Sequence, residues 1–125
     1  MAQPIRVLIA DDSARARDGL RALLATWPEV EVVGEAMNGQ EAVRLVEACR
    51  ADVVLMDVQM PVLDGVQATR AIKKRWPDIK VIVLTMYTTE QSAALAAGAD
   101  AFVIKGGAPE RLLTALYMVG VVGES

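Results

Sequence analysis

The chain has 125 residues, 54% of them hydrophobic and 23% charged, enough for one compact domain whose core needs no metal or disulfide staple, and too apolar for extended disorder. Histidine is absent and Cys49 is the single cysteine, which excludes Ser-His-Asp and Cys-His nucleophiles, histidine- or cysteine-built zinc sites and an intramolecular disulfide. A net charge of −3 and a pI near 4.9 disfavour direct nucleic-acid binding by this chain.

Short β-branched apolar runs alternate with amphipathic stretches about five times, the pattern of an α/β protein. Ile5 to Ala10 reads as a first strand and Ala14 to Thr26 as a helix that Asp12 or Ser13 can cap. Val30 to Glu35 is a second strand, followed by a helix over Gly39 to Cys49 that opens on the cap pair Asn38 and Glu41. In that reading Cys49 is a small buried filler. Asp52 to Met56 forms a third strand and Gly65 to Arg75 its helix. Ile79 to Leu84 forms a fourth strand, with a helix over Glu90 to Ala97 for which Thr88 and Gln91 make the cap pair. Ala101 to Ile104 is a fifth strand, and Pro109 suits the first turn of a helix over Pro109 to Val119. Trp27-Pro28 and Trp76-Pro77 mark two helix ends, because the residue before proline is pushed out of αR. Residues 1–119 are therefore read as one domain, and 120–125 as a frayed tail or the start of a linker. No signal-peptide pattern follows Met1, and no apolar run approaches the ~18 residues of a membrane span, so a soluble, cytoplasmic protein is expected.

Ligands of open parallel sheets bind beyond the carboxyl ends of the strands, where strand order reverses. Asp11 and Asp12 follow the first strand, Asp57 the third, Thr85 the fourth and Lys105 the fifth. Each alone has an ordinary reading: a helix cap, a strand-end hydroxyl, a solvated lysine. If the first and third strands are neighbours, however, three carboxylates share one crevice, and two unit charges ~4 Å apart repel by about 4 kcal/mol at an effective dielectric of 20. Such a cluster needs a neutralising partner. All-oxygen donors point to Mg²⁺ or a similar hard cation, with Lys105 adding positive charge. An aspartate so placed can attack phosphorus and form an aspartyl phosphate; Asp57 suits this because it stands alone, whereas Asp11 and Asp12 pair as metal ligands.

The stretches VLIADDS around Asp12, VVLMDVQMPVLDG around Asp57, VIVLTMY around Thr85, AGADAFVIK ending in Lys105 and the APERLL opening of the last helix together resemble the receiver domain of two-component response regulators, most closely the subfamily of LuxR-type transcription factors (NarL/FixJ). The likeness covers nearly the whole chain. It implies a flavodoxin-like, doubly wound parallel sheet of order 2-1-3-4-5 with five helices. It implies that Asp57 accepts a phosphoryl group from a sensor histidine kinase, with Mg²⁺ (or Mn²⁺) held by Asp12, Asp57 and the backbone carbonyl of Gln59, and by Asp11 through a water. Thr85 and Lys105 would hold the phosphoryl oxygens. Inward movement of Thr85 would let Phe102 turn and change the face built from the fourth helix, fifth strand and fifth helix. A C-terminal helix-turn-helix output domain would follow; the chain is read as a fragment of such a factor in preference to a stand-alone receiver, with a homodimer as a further expectation.

Three departures from the family stand out. Phe102 replaces a frequent tyrosine, so packing can switch without a phenolic hydrogen bond, and a plain core aromatic is an equal reading. Gly106 replaces the proline common after the lysine, which disfavours a cis peptide. The stretch from Thr85 to Gly98 is about two residues short, so the fourth helix is expected to be short or irregular and its partner surface to differ. Gln59 and Tyr87 are expected to flank the phosphoryl group and screen water from it. Among rival functions, a phosphohydrolase resembling the haloacid dehalogenase group needs an acid where Gln59 stands. A nucleotide or flavin module needs a glycine-rich loop that IADDSARAR lacks. A phosphorylation-independent pseudo-receiver ranks above the phosphohydrolase but well below a switch that catalyses only its own phosphorylation and dephosphorylation.

Overall fold

The computed structural model describes residues 3–120, so the expectations for 121–125 lie outside the described residues. Five parallel strands form one sheet in the order β2-β1-β3-β4-β5: β1 Ile5–Ala10, β2 Val30–Ala36, β3 Val53–Asp57, β4 Lys80–Thr85 and β5 Ala101–Ile104. Five helices connect and follow them: α1 Ala14–Leu24, α2 Gly39–Ala48, α3 Gly65–Arg75, α4 Gln91–Ala96 and α5 Pro109–Met118. The expected flavodoxin-like topology is the observed one.

Alternation along each strand divides the core into two layers. Leu8, Val54, Met56, Val81 and Val83 point to one face and pack with Val46, Ala68, Ile72 and Ala94 of α2, α3 and α4. Val7, Ile9, Val53, Leu55, Ile82 and Leu84 point to the other and pack with Leu24 of α1 and Leu112 and Leu116 of α5. Every residue of β3 is buried, as the central strand of a doubly covered sheet must be.

Register then sets the site. Ala10 of β1 pairs with Met56 of β3, so the next residues, Asp11 and Asp57, emerge side by side where the chain changes direction across the sheet. Asp57 and Thr85 do not follow their strands as expected but end them, paired with Leu84 and Ile104. Their backbone is thereby held by the ladder.

Several local expectations require adjustment. Ser13, and not Asp12, caps α1 by accepting from the Ala16 amide. The helix stops at Leu24 because the Thr26 and Trp27 amides turn back to the Leu23 and Leu24 carbonyls, each at 3.0 Å, in a tightened last turn. Asn38 caps α2 by accepting from the Glu41 amide at 2.8 Å, while Glu41 reaches back to the Met37 amide. Trp76 ends α3 outside αR, at φ −133° and ψ 75°. Thr88 caps nothing: it opens a 3-10 turn over Thr88–Glu90 that precedes α4, whose first residue is Gln91. The fourth helix is short, as expected, at 6 residues. Cys49 is only half-buried, its Sγ against Gly34 of β2. Among the described residues no peptide is cis, and Gly106 takes a φ of 83°. No described helix is long and apolar enough to cross a membrane.

Candidate functional site

Asp11, Asp12 and Asp57 each present a carboxylate oxygen within 4.8 Å of the others. Asp11 is 1% exposed and Asp57 8%, whereas Asp12 faces solvent. The Asp11 carboxylate is already committed on both sides: Oδ1 accepts from the Ser13 amide at 2.9 Å and Oδ2 from Lys105 Nζ at 2.6 Å. Lys105 Nζ also lies 3.2 Å from Asp57 Oδ1. One ammonium therefore serves two carboxylates, in keeping with the neutralising charge expected of it.

The charges show in the ionisation of the pair. Burial pushes the Asp57 carboxyl above its ordinary value; Lys105 pulls it down and the Asp11 charge pushes it up again. Burial pulls the Lys105 ammonium down, but its hydrogen bond to Asp11 and the charge of Asp57 more than offset this, leaving it raised. The lysine stays charged, and the Asp57 carboxylate is held at a cost that a further cation would relieve. All-oxygen donors, two of three poorly solvated, with one carboxylate exposed to receive an ion, fit a hard divalent cation such as Mg²⁺. Gln59, the residue expected to contribute its carbonyl, follows Asp57 in the β3–α3 connection. Two glycines shape that connection. A Cβ on Gly65 would overlap the main-chain carbonyl of Asp57, and one on Gly39 that of Leu63; the Gly65 amide donates to Val58 O at 2.7 Å.

Thr85 is 2% exposed and its hydroxyl donates to the carboxylate of Glu90, not into the acidic crevice. The second oxygen of Glu90 accepts from Gln59 Nε2 at 3.3 Å. Tyr87 is 54% exposed at the same rim, and its amide donates to Thr85 Oγ1 at 3.3 Å. Phe102 is half-buried against the α2–α3–α4 core layer, an intermediate between a fixed core aromatic and a free one.

Sequence reasoning missed two supports of the site. Arg17 Nη1 donates to the Asp11 carbonyl at 2.7 Å, and its Nε donates to Glu35 Oε1 at 2.9 Å. Arg21 binds the other oxygen of Glu35 at 2.6 Å. This clamp fixes the turn that presents Asp11 and Asp12. The spacing of Ser13 and Arg17, one helical turn apart, was the available signal. Glu90 was read only as the first residue of a helix, because its approach to Thr85 depends on a 3-10 turn that periodicity does not reveal.

Residues 7–117 match the response regulator receiver domain family. The transcriptional regulatory protein YhcZ of Bacillus subtilis (strain 168) is 44% identical over 111 residues, 87% of this chain and 52% of YhcZ. A two-component response regulator of the LuxR family from Aurantimonas sp. SI85-9A1 has a TM-score of 0.87 at 31% identity, over 94% of this chain and 85% of that one. The isolated REC domain of RcsB from Salmonella enterica serovar Typhimurium, solved in the presence of phosphomimetic BeF3⁻, has a TM-score of 0.83 at 32% identity, over 92% of this chain and 87% of that one. The chain spans about half the length of the curated relatives it matches.

Proposed function

The chain belongs to the response regulator receiver domain family, and from that membership we propose that Asp57 accepts a phosphoryl group from the phosphohistidine of a sensor histidine kinase. A carboxylate oxygen of Asp57 attacks phosphorus in line. The P–O bond forms as the P–N bond breaks, and the imidazole nitrogen leaves with the electron pair and takes up a proton. The observation that carries this reading is the acidic cluster joined to Lys105: three carboxylates within 4.8 Å and an ammonium 3.2 Å from Asp57 Oδ1.

Lys105 supplies charge to one phosphoryl oxygen and Thr85 a hydroxyl to another. Asp12, Asp57 and the Gln59 carbonyl would hold Mg²⁺ or Mn²⁺, and Asp11 would contribute through a water. When bound, the cation offsets the repulsion among the carboxylates and draws charge from the phosphoryl oxygens. Gln59 and Tyr87 flank the group and limit the approach of water. The result is a shift of population in which Thr85 moves inward, Phe102 turns, and the face of α4, β5 and α5 changes. The likeness to RcsB, whose REC domain was solved with a phosphoryl mimic, supports this chemistry.

Residues 1–119 act as the receiver of a longer cytoplasmic transcription factor with a C-terminal helix-turn-helix domain; the relatives' greater length and the regulatory name of YhcZ support the added domain and the regulatory role. The domain catalyses only its own phosphorylation and dephosphorylation, since Gln59 stands where a phosphohydrolase needs an acid. A phosphorylation-independent interaction module is not supported over this reading, because all five expected polar positions are filled. Intact mass after incubation with a small phosphoryl donor tests the proposal. One added phosphoryl group that requires Mg²⁺ and is lost in Asp57→Ala is expected; a folded wild-type chain that gains no mass, and binds no phosphoryl mimic, would refute it.

A further inference from the structure

Glu90 lies outside the acidic cluster, yet its two carboxylate oxygens are taken by two groups at the cluster's rim. One accepts from the Thr85 hydroxyl and the other from the Gln59 side-chain amide. Local backbone geometry brings it there. The Glu90 amide donates to the Tyr87 carbonyl at 3.2 Å, closing the 3-10 turn, and a three-residue repeat sets Glu90 over Tyr87. The Tyr87 amide in turn donates to Thr85 Oγ1 at 3.3 Å. The chain thus folds back onto the end of β4, and α4 starts only at Gln91.

A hydroxyl has one proton to donate. While Thr85 gives it to Glu90, it cannot give it to a phosphoryl oxygen. We propose that Glu90 is a positioning residue that holds the Thr85 hydroxyl away from the phosphoryl site, so that Thr85 engages a phosphorylated Asp57 only after the Thr85–Glu90 bond opens. The inference rests on the phosphoacceptor reading above. Because Gln59 shares the same carboxylate, opening also frees the β3–α3 connection beside Asp57, which ties the two rims of the site into one transition. Glu90 therefore biases the population toward the unmodified conformation and lowers apparent affinity for any phosphoryl mimic by the free energy of that bond.

The test is a titration with beryllofluoride at fixed Mg²⁺, read by ¹⁹F NMR of the bound species, on the wild type, Glu90→Ala, Glu90→Gln, Thr85→Ala, the Thr85→Ala/Glu90→Ala pair and Asp57→Ala. Loss of a charge-assisted hydrogen bond predicts about tenfold tighter binding for Glu90→Ala, with Glu90→Gln in between. In the Thr85→Ala background, removing Glu90 should give a much smaller gain, because only its contact with Gln59 remains to be released, whereas a merely structural role would give the same gain in both backgrounds. In the unliganded protein the Tyr87 amide resonance should move in Glu90→Ala, because its acceptor has lost a partner. Binding by Glu90→Ala no tighter than wild type, or the same gain with and without the Thr85 hydroxyl, overturns the proposal. If Asp57→Ala binds beryllofluoride like the wild type, the phosphoacceptor reading itself fails; if it binds none and Glu90→Ala equals the wild type, the role of Glu90 alone fails.

Discussion

Val62 adopts a φ of 70° while 74% exposed, a left-handed conformation that a β-branched side chain resists. Little side-chain burial offsets the strain, and the one local support is the Leu63 amide donating across it to the Pro61 carbonyl at 2.7 Å. Val62→Gly should therefore raise stability by about 1 kcal/mol, the relieved strain exceeding the entropy that glycine adds to the unfolded chain; a urea midpoint that falls at constant slope would contradict this. Gly65 is the opposite case. A side chain there meets the Asp57 carbonyl, so Gly65→Ala should cost about 3 kcal/mol or more and weaken cation binding along with the fold. A Gly65→Ala variant with wild-type melting would show that the connection yields freely. At this scale the sequence was readable where chemistry depends on residue type: Asp11, Asp12, Asp57 and Lys105 announce themselves as polar residues at the ends of apolar runs. Glu90 did not, because a turn geometry recruits it and leaves no periodic trace, and Arg17 left only its one-turn spacing from Ser13, which does not disclose the reach across to Glu35.

Among the elements, α1 is tied to β2 through Glu35, and one of that residue's partners, Arg17, also holds the acidic turn. The Glu35 carboxyl lies below the ordinary value of 4.5 chiefly through the hydrogen bond from Arg21, opposed by burial and helped by Arg17. A carboxylate whose folded value is depressed contributes stability that is fully present above its unfolded value and is lost as pH falls through the folded one. Glu35→Gln should thus cost about 1 kcal/mol at pH 7, and the gap to wild type should close in acid below the ordinary carboxylate range. A gap equally wide at pH 7 and in strong acid would mean that packing, not charge, holds the clamp. Strand limits were legible because a polar residue bounds each apolar run, yet Asp57 and Thr85 belong to the strands they were expected to follow. Ladder pairing takes in a residue whatever its polarity. Helix ends were less legible for a related reason. The last turn of α1 and the first of α4 tighten into 3-10 geometry, and hydrophobic periodicity extends across such turns without registering them.

For the whole molecule, the unmodified state carries an unfavourable charge at its centre. Burial raises the Asp57 carboxyl, with Asp11 adding to the effect and Lys105 opposing it. A raised carboxyl means that ionisation at neutral pH works against the fold, a penalty fully present above the folded value and gone once pH falls below the unfolded one. Without divalent cations, Asp57→Asn should melt a few degrees above the wild type, on the order of 1 kcal/mol. Mg²⁺ should raise the melting temperature of the wild type more than that of the variant. Equal melting in the absence of cations, with an equal response to Mg²⁺, would show that Lys105 already neutralises the cluster. The topology was legible because the alternation of runs and the motif spacing agree with one doubly wound sheet, whereas the packing of the short α4 was not, since it depends on the turn before it. The most direct test of the account is where a phosphoryl group comes to rest. After reaction with a small phosphoryl donor and Mg²⁺, borohydride reduction converts an aspartyl phosphate to homoserine, which peptide mass spectrometry locates. Homoserine at position 57 alone is the predicted result; homoserine at position 11 or 12 with none at 57, or none anywhere in a chain that has gained the mass, would contradict it.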